Sequence, residues 1–221
     1  MSPAFGHLMK FEDAMRKIAK RAARGSNLSM SKLSLGLIKH EDDLTPALAT
    51  AIEYEVNGYK AGGVTWNAAV LTHRKSGEEK TYGADLLIHV KLDTPQYTYS
   101  KGVLVQAKRI GPGTVMSPTP HTELVGQCNK MLVHSAASFV FAYDPKGLRA
   151  ASATKIAGAT DRTLYDQCSW TAYRFFLELF RCPVGDLTIN SANVDDLAAY
   201  TLALKGKGNL DPDRHEEDDE D

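Results

Sequence analysis

The sequence is short of several features that would assign it quickly. It has no apolar stretch near the ~18 residues that a membrane-spanning helix needs; its densest run, Ala136–Tyr143, has the length of a strand. It has three cysteines, Cys128, Cys168 and Cys182, with no C-x-x-C pair. That count argues against a disulfide scaffold, a zinc ribbon and a four-cysteine iron–sulfur cluster. The opening residues carry no long apolar segment of the secretory type, so a reducing cytoplasm is the expected setting. His40, His73, His89, His121 and His134 show no H-x-x-x-H spacing. Gly111-Pro112-Gly113 lacks the pattern of a phosphate loop.

What is present is 221 residues, 43% hydrophobic and 24% charged, the profile of a globular domain with its own core. The formal charge of −1 conceals an asymmetry. Residues 211–221 hold eight acids and one arginine, leaving 25 bases against 19 acids in residues 1–210. Lys10, Arg16, Lys17, Lys20, Arg21, Arg24, Lys32 and Lys39 fall in the first forty residues, against Glu12 and Asp13. The reading is a basic helical arm over 1–36, a folded domain over 37–205 and an acidic, disordered tail over 206–221. A basic arm favours contact with a polyanion, and self-repelling acids with nothing apolar to bury favour disorder.

Hydrophobic periodicity sets out the elements. Phe11, Met15, Ile18 and Ala22 predict a helix over 8–24, ended by Gly25-Ser26-Asn27. Leu44, Leu48, Ile52 and Val56 predict a second over 44–57. Strands are expected at 64–73, 83–92 and 101–110, then a helix over 122–135 and an apolar strand over 138–143. An aromatic helix over 161–181 and a last helix over 192–204 complete a mixed α/β pattern.

The chemistry-bearing residues lie on the second and third strands. The second opens Gly83-Ala84-Asp85, and the third reads Val103-Leu104-Val105-Gln106-Ala107-Lys108-Arg109. Strand alternation turns Gln106 and Lys108 to one face and Arg109 to the other. Polar groups in such an apolar run need partners, at about 2–7 kcal/mol each if left without them. Asp85 on the neighbouring strand, together with a metal ion, would supply those partners.

An acid in a leading helix, an Asp opening a strand and a (D/E/Q)-x-K triplet on the next strand resemble the PD-(D/E)XK superfamily, in its Q-x-K, Mrr-like variant. The resemblance covers roughly residues 40–145. It implies a restriction-endonuclease-like core in the order α-β-β-β-α-β, a mixed sheet flanked by helices, with extra N- and C-terminal helices. It implies a metal-dependent nuclease cutting phosphodiester bonds, DNA more than RNA, in restriction, antiviral defence or repair. It implies Mg²⁺ or Mn²⁺ held by Asp85, the Gln106 side-chain oxygen, the Ala107 carbonyl and a helical acid, with Lys108 acting on the attacking water. Glu41 is the favoured acid, with Glu55 and Glu53 open; Glu41, Leu44, Leu48, Ile52 and Glu55 share one helical face. Gln127 and His121 are expected to border the site. The competing expectation is an inactive nuclease-like module kept for nucleic-acid binding or assembly. A homodimer or a partner protein is open on either reading.

Overall fold

The structure is a computed structural model that describes residues 3–38, 40, 42–72, 82–192 and 197–210. Its elements, in chain order, are α1 (Pro3–Ser34), α2 (Leu44–Val56), β1 (Lys60–Ala61), β2 (Val64–Thr72), β3 (Leu86–Asp93) and β4 (Thr98–Arg109). There follow α3 (Pro118–His134), β5 (Ser138–Asp144), β6 (Gly147–Ser152), α4 (Ala153–Ala157), α5 (Leu164–Gln167), β7 (Trp170–Thr171), α6 (Ala172–Phe180) and β8 (Tyr200–Gly208). All eight strands join one mixed sheet in the order β1-β2-β8-β3-β4-β5-β6-β7. β8 runs antiparallel to β2 and parallel to β3, β3 and β4 are antiparallel, and β4 and β5 are parallel. The fold is therefore α/β, with helices on both faces of the sheet.

Two cores result. On one face Met15 and Ile18 of α1, Leu48 and Ile52 of α2 and Phe175 and Phe180 of α6 pack on Val103, Val105 and Phe141. On the other, Leu124, Cys128 and Met131 of α3 pack on Leu87, Leu104 and Val140. Alternation along β4 thus sends odd residues toward α1 and α2 and even residues toward α3. No helix among the described residues is long and apolar enough to cross a membrane.

The expected stop at Gly25-Ser26-Asn27 is not one: α1 continues to Ser34. Gly25 lies where α1 crosses α2. A Cβ added there would come within 2.7 Å of the Ala51 carbonyl oxygen and the Ile52 Cα, so the glycine permits close packing of two backbones. Ser26 turns its hydroxyl back onto the Ala22 carbonyl at 3.0 Å and stays within the helix. The single aromatic helix expected over 161–181 is broken into α5, β7 and α6. Thr171 restarts it as an N-cap, its hydroxyl accepting from the Arg174 N–H at 3.2 Å.

The expected C-terminal helix is the largest correction. Residues 200–208 form β8, in the middle of the sheet. Leu202, Leu204 and Gly206 alternate toward the α1 side, a strand period that the apolar run Leu197–Leu204 conceals. Gly206 admits Trp66, since a Cβ there would stand 3.0 Å from the indole. The acidic stretch 211–221 lies outside the described residues.

Candidate functional site

β3 begins one rung too late to satisfy its neighbour. Leu86 pairs with Val105, and the Asp85 N–H donates to the Val105 carbonyl at 2.9 Å. The next N–H of β4 on that side, at Ala107, has no β3 carbonyl opposite it. The Asp85 carboxylate takes it instead, its Oδ2 accepting from the Ala107 N–H at 2.7 Å. The sequence held no signal for this anchor, because it is made by the backbone.

The same oxygen accepts from Gln106. Gln106 is 1% exposed, and its Nε2 donates to Asp85 Oδ2 at 2.7 Å and to the Ala107 carbonyl oxygen at 3.2 Å. Its Oε1 is buried with no hydrogen-bond partner among the described residues. One amide nitrogen thus sits between two oxygens, while the amide oxygen faces away without a donor. Rotation about the last side-chain torsion exchanges the two ends. It would turn three oxygens, from Asp85, Gln106 and Ala107, toward one point. Such a set fits a hard divalent cation, which prefers oxygen ligands and keeps several of its waters. Among the described residues, no group of three or more His, Cys, Asp or Glu gathers to hold a metal.

Lys108 follows two residues along β4, half-buried, on the Gln106 face and opposite Ala142 of β5. Arg109 is exposed and turns to the other face. α3 closes the site from the side. Gly83 has φ +77°, and a Cβ there would stand 2.6 Å from the Gln127 carbonyl oxygen. Gln127 therefore lies against the segment leading into Asp85, and its Oε1 is also buried without a partner among the described residues. His121 stands in the first turn of α3, near Asp161, whose carboxyl is held below its usual range by hydrogen bonds from Thr163.

The helical acids part company. Glu55 is buried against α1, its oxygens 3.5 Å from Arg21 and 3.3 Å from Arg24. Glu53 accepts from the Val70 N–H of β2 at 3.3 Å. Both are held on the face opposite Asp85 and Gln106. Glu41 lies outside the described residues. The start of α2 reaches the end of the sheet where Lys108 stands: the Thr45 hydroxyl is 3.5 Å from that of Tyr143, and Tyr143 pairs with Arg109. A cleft of about 450 Å³ opens there, lined by Arg109, Gly111, Thr114, Ser117, Tyr143 and Asp144.

The chain matches no protein-family model, no curated protein and no solved structure.

The basic residues of α1 are partly neutralised within the fold. Arg16 pairs with Glu12 at 3.9 Å, Lys17 with Asp13 at 3.3 Å, and Arg21 and Arg24 share Glu55. Arg21 also lies over the Tyr59 ring, 4.5 Å from its centroid. Glu55 is the one acid in these pairs from outside the arm, so most of the arm's positive surplus persists.

Proposed function

We propose that the chain is a metal-dependent nuclease of the PD-(D/E)XK type, acting on DNA, with Asp85, Gln106 and Lys108 at its centre. The observation that carries this reading is the Gln106 amide, buried between Asp85 Oδ2 and the Ala107 carbonyl with its own oxygen unpartnered. A buried acceptor left without a donor costs roughly 1–3 kcal/mol, and rotated toward Asp85 and Ala107 that oxygen would meet a cation instead. The strand order around it supports the finer fold assignment in part. The antiparallel β3–β4 pair and the parallel β4–β5 crossover through α3 are those expected of a restriction-endonuclease-like core, whereas β8 separates β2 from β3, which that core's meander would make neighbours.

On this reading Asp85 Oδ2, Gln106 Oε1 and the Ala107 carbonyl hold Mg²⁺ or Mn²⁺. The bound ion would lower the pKa of a water and polarise a phosphate oxygen. Lys108 orients the attacking water through its ammonium and stabilises the charge growing on the phosphate oxygens. Of the three candidate acids, Glu41 is the one left for the set, since Glu53 and Glu55 are engaged elsewhere. Gln is neutral, so this site carries one negative charge fewer than an acidic triplet and holds its ion more weakly. Restriction, defence and repair are the settings that such an activity serves.

One observation favours the alternative of an inactive binding or assembly module. The Gln106 amide satisfies Asp85 and Ala107 without any ion, so the cluster is stable as it stands. The two readings separate in a nuclease assay on duplex, single-stranded and branched DNA, and on RNA. With Mn²⁺ or Mg²⁺, wild type should cleave DNA, EDTA should stop it, and Lys108→Ala should lose at least about a hundredfold in rate while keeping its circular dichroism spectrum. Equal inertness of both proteins on every substrate would establish the module.

A further inference from the structure

α1 and α6 meet in a shallow cleft of about 300 Å³, lined by Lys20, Ala23, Arg24, Asn27 and Tyr173. None of these side chains is acidic. The α1 residues recur at spacings of three and four, so they share one helix face. Tyr173 is the second residue of α6.

Lys20 is exposed, and no ion pair engages it among the described residues. Arg24 is held differently. Its Nε stands 3.3 Å from Oε1 of Glu55, whose side chain is 5% exposed, yet 65% of the Arg24 side chain is open to solvent. A guanidinium carries several N–H donors. The buried acid therefore fixes the direction of Arg24 and leaves its outer edge for a ligand. Arg16, one turn before Lys20, continues the cationic line and is 54% exposed despite its pairing with Glu12.

Tyr173 supplies a different chemistry. It is half-buried, packed on the core, and the α1 residue beside it in the cleft is the small Ala23. A long side chain at 23 would fill that space. Arg174 follows, exposed, with its guanidinium 4.8 Å from the centroid of the Trp170 ring, and adds positive charge at the same end of α6. A line of cations beside an aromatic platform is the make-up of a surface for single strands, which offer phosphates and open base faces together. A duplex keeps its base faces stacked inside. The sequence hides this pairing, because Tyr173 falls in an aromatic run that reads as core and the cations lie on a helix far away in the chain.

We propose that this cleft binds an unpaired strand of nucleic acid, with one base stacked on Tyr173 and adjoining phosphates on Lys20 and Arg24. The inference goes beyond the nuclease reading. α1 packs on the Val103 and Val105 face of β4, whereas Gln106 and Lys108 turn to the other face, so binding here needs neither the metal nor Lys108.

The test titrates full-length protein into short labelled oligothymidylate, and separately oligouridylate, in EDTA, and follows fluorescence anisotropy. EDTA keeps metal chemistry out, so failure of binding and failure of the nuclease assay are read apart. Wild type should bind, with the logarithm of the affinity falling linearly with that of the salt concentration. Lys20→Gln should weaken binding several-fold and make the slope shallower by about 0.7, the value for one phosphate of a single strand. Tyr173→Leu should weaken it roughly fivefold to a hundredfold with the slope unchanged, and Tyr173→Phe should retain it. An abasic oligomer of the same length should bind wild type more weakly by the same factor, which keeps the test decisive where Tyr173→Leu fails to fold. Binding of either polymer with this dependence supports the proposal and tells DNA from RNA. No binding of either by wild type would overturn it. So would wild-type affinity in Lys20→Gln, or an abasic oligomer bound as tightly as the intact one.

Discussion

Gln106 is the residue on which the proposed chemistry turns, because it is neutral where a carboxylate would bind metal more strongly. Gln106→Glu removes the amide donor that now bridges Asp85 and Ala107 and places two carboxylates side by side. Without metal, the thermal midpoint of this variant should fall below that of wild type. Mn²⁺ should raise it by more degrees than it raises wild type, because a tighter ligand stabilises more at equal concentration. Differential scanning fluorimetry across an Mn²⁺ titration reads both effects. An unchanged midpoint with Mn²⁺ in both proteins would tell against the metal site. Lys101 makes a second prediction at this scale. Desolvation lowers it from 10.5 to about 8 in the folded chain. The unfolded chain therefore holds more protons between pH 8 and 10.5, and stability rises with pH across that window. The gain is on the order of 3 kcal/mol. Urea denaturation at stepped pH should show it in wild type, and Lys101→Met should flatten the profile.

Among elements, the crossing of α1 and α2 is fixed by a single missing methyl. Gly25→Ala gains roughly 1 kcal/mol of helix propensity but drives a Cβ to 2.7 Å from the α2 backbone. Overpacking costs about 1–3 kcal/mol, so the net outcome should be a loss of stability, measured by chemical denaturation. This position also shows where the sequence misleads. Gly-Ser-Asn reads as a helix stop by local preference, and only the neighbouring helix reveals its use. The strand pair was legible for the opposite reason. Gln106 and Lys108 interrupt an apolar run at a period of two, so their shared face followed from alternation alone. The fates of Glu53 and Glu55 were not legible: both share α2 with apolar residues, and their partners, Val70 and the arginines of α1, lie far away in sequence. β6 escaped because Gly147–Ser152 is short and its Ala150 and Ala151 carry little β signal.

For the whole molecule, β8 is the decisive strand. Apart from the two-residue β1, it is the only neighbour of β2 among the described residues, and it pairs with β2 over 200–208 and with β3 over 200–207. A chain cut after Ala199 would leave two long, apolar strand edges open. It should be recovered mainly as aggregate, or as a species lacking a cooperative thermal transition, whereas full-length protein melts in one step. Size-exclusion chromatography and calorimetry distinguish these outcomes. The local pieces, the β3–β4 hairpin and the β4–α3–β5 crossover that hold Asp85, Gln106 and Lys108, do not need β8 for their own pairing.

Because the wedge between β2 and β3 comes from residues 200–208, a ribosome must release nearly the whole described chain before those two strands can be joined. Closure then requires contacts between residues more than a hundred positions apart, a slow kind of search. During translation the nascent protein therefore spends most of its time as a half-open sheet, and chaperones that shield strand edges have their longest opportunity then.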